Sequence, residues 1–407
     1  MARIVQKFGG TSVGDLDRIR NVAQRVKSCV EAGDQVAVVV SAMAGTTNQL
    51  VEWAKQVGPI HDAREYDAIV STGEQVTVGL LSIALQNIGV DARSWLGWQI
   101  PLRTDEVHGA ARIEEIQADE IIKRLEQGQV AVVAGFQGIA PDGRISTLGR
   151  GGSDTSAVAL AAAIQADRCD IYTDVDGVYT TDPRIMPKAR KLNSITFEEM
   201  LEMASAGAKV LQTRSVAMAM RHHVNLQVRS SFTDAPGTLV QNEEKQMEKQ
   251  KVSGIAYSSE EAKITVVGLP DKPGIAAKIF GVLADLHINV DMIVQSASAD
   301  LQKTDITFSL ARIDLEKAMS DLINLKDELA FERLIHDNNI AKISVIGTAM
   351  RTQSGIAKRM FEVLSEKQIN MQVISTSEIK ISVLIQADYT ELAVRSLHDA
   401  FELDKIG

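Results

Sequence analysis

Apolar positions in the chain follow two rhythms. Short unbroken runs, VAVVV at 36–40 and VAVVAG at 130–135, are what a strand covered on both faces requires, and between them lie longer stretches with apolar residues three and four apart. The order that emerges is a short strand near 4–8, a helix from about Asp15 to Ala32, the strand at 36–40, a helical pattern over 67–87, the strand at 130–135, another at 171–173, and a helix beginning near Thr196. Such alternation predicts an open, mostly parallel α/β sheet, with ligands gathered at the carboxyl ends of its strands.

Past a polar, charge-dense stretch at 241–251 (QNEEKQMEKQK), which reads as a linker, the rhythm changes. ITVVG (264–268), DKPGIAAKIF (271–280) and INVDMI (288–293) are echoed by ISVIG (343–347), SGIAKRMF (354–361) and INMQVI (369–374). Gly268 corresponds to Gly347 and Asn289 to Asn370, offsets of 79 and 81 residues, which marks an internal duplication. With further strands at 306–310 and 380–385 and a closing helix, each copy reads as a ferredoxin-like β-α-β-β-α-β unit. Three domains are expected, at 1–245, 263–340 and 341–407.

Composition adds exclusions. With 407 residues, 45% hydrophobic and 24% charged, the chain is ordinary for a globular protein, and its net charge of −10 argues against a nucleic-acid partner. Cys29 and Cys169 have no partners at metal-ligand spacing and are expected to be reduced thiols. The absence of a signal-peptide core and of membrane-length apolar runs makes the cytoplasm the expected compartment.

Candidate chemistry concentrates where strands end. TLGRGGSDTS (147–156) has three glycines in four positions and runs into an apolar helix, so it offers free amides and a partial positive charge to an anion. Arg150 adds a planar fork, and Asp154 is suited to orient a cation. The plainer reading is a capped turn with Ser153 or Asp154 as N-cap, and alone the two are evenly matched. Pairing with the N-terminus favours the anion site. KFGGTSV (7–13) lacks Walker spacing yet supplies a lysine and two glycines just after a strand, while alone it reads as a strand end with a surface lysine. Glu74, in VSTGEQ (70–75), reads from the residues as an exposed helix-cap carboxylate. His222 and His223 are adjacent without a third ligand and are taken as surface or packing residues. Met200, Met203, Met218 and Met220 read as core filler of one Met-rich helix.

Together KFGGTSV, VSTGEQ, GRGGSD (149–154), TDVDGVYTTDPR (173–184) and GAKV (207–210) closely resemble aspartate kinase of the amino-acid kinase superfamily, in its monofunctional form with two C-terminal ACT domains. The resemblance spans essentially the whole chain. It implies ATP- and Mg²⁺-dependent phosphorylation of the side-chain carboxylate of L-aspartate to 4-phospho-L-aspartate, the committed step toward lysine, threonine, methionine and diaminopimelate. It implies nucleotide contacts from Lys7, Phe8, Gly9, Gly10, Ser41, Thr173, Asp174, Tyr179, Asp182, Arg184, Lys209 and Val210. For aspartate it implies Arg150 on the α-carboxylate, Glu74 on the α-ammonium, and Thr47, Gly151, Gly152 and Ser153 holding the substrate in line. Lys7 and Asp154 are the expected catalytic pair; the substrate brings its own ionised nucleophile, so no general base is needed and Asp154 organises Lys7 or the metal. Mg²⁺ is expected on the nucleotide phosphates rather than in a protein cage.

In the tail the resemblance implies binding of lysine, threonine or both at Asp271, Gly274, Ala276, Asn289, Gln295, Asn370 and Met371. It also implies a homodimer or higher oligomer through the ACT domains. Met247 stands where some family members start a second, tail-only subunit. A relative acting on acetylglutamate, glutamate or a nucleotide generally lacks this paired tail together with these motifs. A non-catalytic amino-acid sensor is expected to have lost Lys7, Arg150 or Asp154, and all three are present.

Overall fold

The computed structural model describes residues 1–58, 62–242, 252–297, 303–351 and 355–405. The chain divides into two compact units, one formed by Met1–Val178, Lys191–Ala204 and Lys209–Gln246, the other by Tyr179–Arg190, Ser205–Ala208 and Met247–Gly407. Most of the 241–251 linker, Met247 included, lies outside the described residues.

The first unit is built on an eight-stranded open sheet. From one edge to the other run Ser194–Thr196, Thr238–Gln241, Leu226–Ser230, Arg168–Thr173, Arg3–Phe8, Gln35–Val40, Val130–Ala134 and Ala92–Trp95. Every neighbouring pair is parallel except Thr238–Gln241 against Leu226–Ser230. Val36 to Val40 and Val130 to Ala134 are buried throughout, as their unbroken apolar runs predict. Helix Leu16–Glu31 begins where Asp15 accepts the Arg18 N–H at 2.8 Å, and its Val22 and Val26 join Phe8, Val38, Val132, Leu81 and Leu85 in one core.

The helical pattern at 67–87 is a 25-residue stretch, Ala63–Asn87, that passes through Ser71 between two helical segments. By length and composition it could cross a membrane, but half of its apolar 18-residue window is buried inside the protein, as in the core helix of a globular domain. A small second sheet joins Ile113–Ile116, Leu102–Thr104, Gln137–Ile139 and Ile145–Thr147.

The methionines divide between two helices rather than one. Phe197–Ser205 buries Met200 and Met203, while Thr213–His222 leaves Met218 and Met220 half-buried. Local chemistry sets where the first helix starts and where the chain leaves it. Thr196 and Glu199 form a reciprocal capping box, with Glu199 N donating to Thr196 Oγ1 at 3.2 Å and Thr196 N to Glu199 Oε2 at 3.1 Å, and Gly207 takes a φ of 116° before the second helix. His222 and His223 are exposed, and His223 closes its helix in the left-handed region.

The second unit carries a six-stranded sheet in the order Val290–Ala297, Lys303–Ala311, Gly254–Pro270, Arg333–Ile346, Lys380–Gln386, Met371–Thr376. Two strands are long and serve both repeats. The 17-residue Gly254–Pro270 sends Ala262, Ile264, Val266 and Leu269 into one core with Ile279, Phe308 and Leu322, and Ile255 into another with Ile343, Met360, Val383 and Leu397. The second repeat thus takes its fourth strand from residues 254–258, which pair antiparallel with 342–346, ahead of the first repeat in the chain. Segment 179–190 belongs to this unit: Ile185 enters the second core, Thr180 Oγ1 meets buried His398 Nε2 at 2.9 Å, and Arg395 Nε donates to Ile185 O at 2.8 Å.

Candidate active site

The carboxyl ends of four adjacent central strands are stitched together by backbone hydrogen bonds. Gly9 N donates to Tyr172 O at 3.3 Å, Ser41 N to Phe8 O at 3.1 Å and Gly135 N to Val40 O at 3.0 Å. The loops leaving these strands therefore start from one edge, where an open α/β sheet places its ligands. Phe8 stacks on Tyr172 with centroids 4.6 Å apart, which stiffens the start of the Gly9–Gly10 turn from beneath.

Lys7 is buried rather than superficial. Its Nζ lies 2.5 Å from Asp154 Oδ1, both side chains being only about a tenth exposed. Asp154 sits in the first turn of helix Gly152–Ala163, so the helix start, the lysine and the carboxylate converge. Neither Ser153 nor Asp154 caps that helix; the cap is Gly151 at φ 72°, with no side-chain hydrogen bond. A Cβ there would lie 2.1 Å from Gln212 Cγ, so both the left-handed backbone and the close approach demand glycine. Gly152 and Ser153 are buried, and Arg150 is exposed and free of ion pairs with other described residues.

Glu74 is likewise buried, 3% exposed, and is no surface cap. Its Oε1 accepts the Ala42 N–H at 3.0 Å, while Oε2 is buried with no hydrogen-bond partner among the described residues. Burial pushes its carboxyl up to about 7 from an ordinary 4.5, against the opposing pull of the Ala42 N–H. Close approach of helix to strand end makes this reach possible: a Cβ on Gly73 would meet Ala42 Cβ at 2.6 Å. Ser41 and Thr47 lie on the same strand exit, half-buried, Thr47 at the second position of helix Thr46–Val57.

Thr173 ends its strand and donates through Oγ1 to exposed Asp174 at 3.1 Å. Lys209, exposed, and Val210, half-buried, form the turn before helix Thr213–His222. Tyr179, Asp182 and Arg184 belong to the second unit. There Arg184 grips Asp182 in a two-pronged ion pair, Nη2 to Oδ2 at 2.7 Å and Nε to Oδ1 at 3.0 Å, and Tyr257 Oη donates to the same carboxylate at 3.1 Å. Arg184 beside it holds the Asp182 carboxyl below its usual range.

The second unit has its own small-molecule-sized cavity, about 350 Å³, lined by Asp271, Gly274, Ala276, Gln295, Thr304 and Ile306 among others. Gly274, at φ 95°, caps helix Ile275–Asp285 without side-chain help. Asn289 and Asn370 are exposed, Met371 is half-buried, and none of the three lines this cavity.

Sequence reading missed several groups around the Gly-rich loop. Arg214 donates to Leu148 O at 2.8 Å and Ala111 O at 2.6 Å, and buried Asp67 binds Thr147 from across the fold. Phe136 adopts a φ of 69°, unusual for an aromatic residue, with its amide on Ser156 Oγ at 3.1 Å. Only Asp67 left a trace in sequence, as a charge on the apolar face of a helix.

The amino acid kinase family matches residues 2–230, and ACT domains match 263–327 and 343–401. An aspartate kinase of Pseudomonas putida is 55% identical over 99% of this chain and 98% of its own. Escherichia coli aspartokinase III solved with aspartate and ADP (R-state) superposes with a TM-score of 0.83 at 29% identity, covering 98% of this chain and 99% of that one. The same enzyme with lysine and aspartate (T-state) gives 0.76 at 28% identity, with coverage of 98% and 99%. The chain belongs to the aspartate kinases of the amino acid kinase family, its kinase domain being followed by two ACT domains.

Proposed function

We propose that the protein catalyses ATP-dependent phosphorylation of the side-chain carboxylate of L-aspartate, yielding 4-phospho-L-aspartate for lysine, threonine, methionine and diaminopimelate synthesis in the cytoplasm. The observation that carries this reading is the pairing of two unlike carboxylates at one strand edge. Asp154 is neutralised by Lys7 at 2.5 Å, whereas Glu74 keeps one buried oxygen vacant. A substrate ammonium supplies the missing partner of Glu74 and draws it back to the ionised form. Exposed Arg150 then takes the α-carboxylate, leaving the side-chain carboxylate to be held by Ser153 and Thr47 near the start of helix Gly152–Ala163.

Phosphoryl transfer needs alignment and charge neutralisation rather than a base, and Lys7 with the Gly9 and Gly10 amides is suited to hold the phosphates. Asp154 keeps Lys7 charged and aimed. Mg²⁺ bound with the nucleotide supplies further neutralisation. Asp154, beside the Lys7 ammonium, is the carboxylate of this chain suited to face it, and phosphate oxygens would provide most of its ligands. Thr173, Asp174, Lys209 and Val210 are assigned to the nucleotide by the same reading. Measuring ADP release with L-aspartate, L-glutamate and N-acetyl-L-glutamate tests it: only aspartate should support turnover, and activity on another acceptor alone would overturn it.

Feedback control belongs to the same proposal. The cavity around Asp271, Gly274, Ala276 and Gln295 fits lysine or threonine in size and offers a carboxylate and a glycine loop to a zwitterion; the E. coli relative was solved with lysine. Calorimetry with lysine and threonine, singly and mixed, should detect binding to the active, oligomeric protein. No heat from any combination would remove the regulatory reading.

A further inference from the structure

Asp67 is fully buried and, among the described residues, pairs with no lysine or arginine; His108 is its one ion-pair partner, and both its oxygens are occupied by hydrogen bonds. Oδ1 accepts Thr147 Oγ1 at 2.5 Å and Gly109 N at 3.1 Å; Oδ2 accepts His108 Nδ1 at 2.8 Å, Thr147 N at 3.0 Å and Gly109 N at 3.1 Å. A buried carboxylate whose one ion-pair partner among the described residues is a histidine is an expensive way to fasten a helix, for which apolar packing would suffice. Its geometry does something packing cannot do. Thr147 is the last residue of the strand that opens into the Gly-rich loop, and Asp67 stands seven positions before Glu74 on the same face of the Ala63–Asn87 stretch, about 10 Å along its axis. Arg214 holds the next carbonyl, Leu148 O, and ties it to Ala111 O beside the His108–Gly109 turn.

We propose that Asp67 is a positioning residue that sets the separation between Glu74 and the Arg150 loop, and thereby the enzyme's preference for aspartate over the one-carbon-longer glutamate. The proposal rests on the reading of Glu74 and Arg150 as anchors for the substrate's ammonium and α-carboxylate. One anchor grows from the helix that carries Asp67, and the other hangs from the strand end that Asp67 grips. Loosening the grip lets the loop drift while Lys7, Asp154 and the Gly9–Gly10 turn stay on their own strands.

The full-length protein carrying Asp67→Ala should show a KM for L-aspartate raised at least tenfold, a KM for ATP within twofold, and an aspartate-to-glutamate ratio of kcat/KM lowered at least tenfold. Asp67→Asn should recover most of this, because its amide oxygen can accept the Thr147 and Gly109 N–H groups while its NH₂ donates to a turned Thr147 hydroxyl. Should Asp67→Ala fold poorly, Thr147→Val removes the hydroxyl contact alone, keeps the side-chain shape, and should raise the aspartate KM several-fold with the same split. Parallel rises in both KM values, a fall in thermal stability without a change in KM, or an unchanged substrate ratio overturns the proposal. Glu74→Gln and Arg150→Ala are measured alongside. If they raise the aspartate KM and the Asp67 and Thr147 variants do not, the positioning role alone fails; if they too leave it unchanged, the anchor reading falls and this proposal with it.

Discussion

Asp67 and Glu74 lie on one face of one helical stretch, both buried, and differ in a single respect. Asp67 has both oxygens occupied by hydrogen bonds from the protein, whereas Glu74 has one oxygen accepting the Ala42 N–H and the other without a partner among the described residues. A buried polar atom without a partner costs on the order of 1–3 kcal/mol, so its persistence points to a ligand, while a saturated group points to architecture. The ACT unit shows the saturated kind too: Lys342, 6% exposed, lies 2.9 Å from both Glu261 and Asp291, and these two carboxylates hold its ammonium above the usual range.

The contrast between vacant and saturated groups can be broken by mutation. The largest effect is expected at Lys7, where charge is needed only as the phosphoryl group moves: Lys7→Ala should lower kcat by about 10³-fold with folding intact. Steady-state kinetics and a thermal melt on the same preparation check this. Arg150→Ala should instead raise the aspartate KM, and equal small changes in kcat and KM for both variants would defeat the assignment.

Glu74→Gln comes next, with an expected rise of about 10- to 100-fold in the aspartate KM through loss of a charge-assisted contact. The wild-type pH profile sharpens it. With its carboxyl raised to about 7, Glu74 is protonated in the free enzyme at lower pH, so kcat/KM for aspartate should rise as pH climbs through that value. The Gln variant should lose that limb.

The same shift is visible in stability. A folded-state value of about 7 against 4.5 unfolded means the native protein binds the extra proton, so this contribution is full below pH 4.5 and lost as pH rises to about 7, a span of about 3 kcal/mol. Denaturant melts across that window should show a smaller decline for Glu74→Gln than for the wild type. Smallest of all, Asp271→Ala should leave uninhibited kcat within about twofold while weakening inhibition by lysine or threonine, since reciprocal coupling acts only through the effector's differential affinity. Kinetics with and without effector separate the two.

Much was legible in sequence because it depends on short-range pattern. Unbroken runs such as 36–40 report burial on both faces wherever they sit, Asp15 announces its helix through a contact three residues away, and the duplicated GIA loops report two similar units. The strand-end loops carrying Lys7 and Gly149 to Asp154 were likewise marked by glycines that only special backbone needs explain. From the local residues alone Glu74 reads as an exposed cap, and only the resemblance singles it out, because exposure is not a property of neighbours in the chain. Its burial depends on Gly73 nestling against Ala42, 31 positions away.

Tertiary structure alone decided the rest, and the reason is distance along the chain. Thr147 meets Asp67 across 80 positions, and Gly254 to Ser258 complete a repeat whose other strands begin near residue 340. Sequence determined which segments would be strands, helices and phosphate-friendly turns, because propensity and periodicity act within a few residues. Which buried carboxylate is satisfied and which is left open was settled only when remote donors were brought within 3 Å.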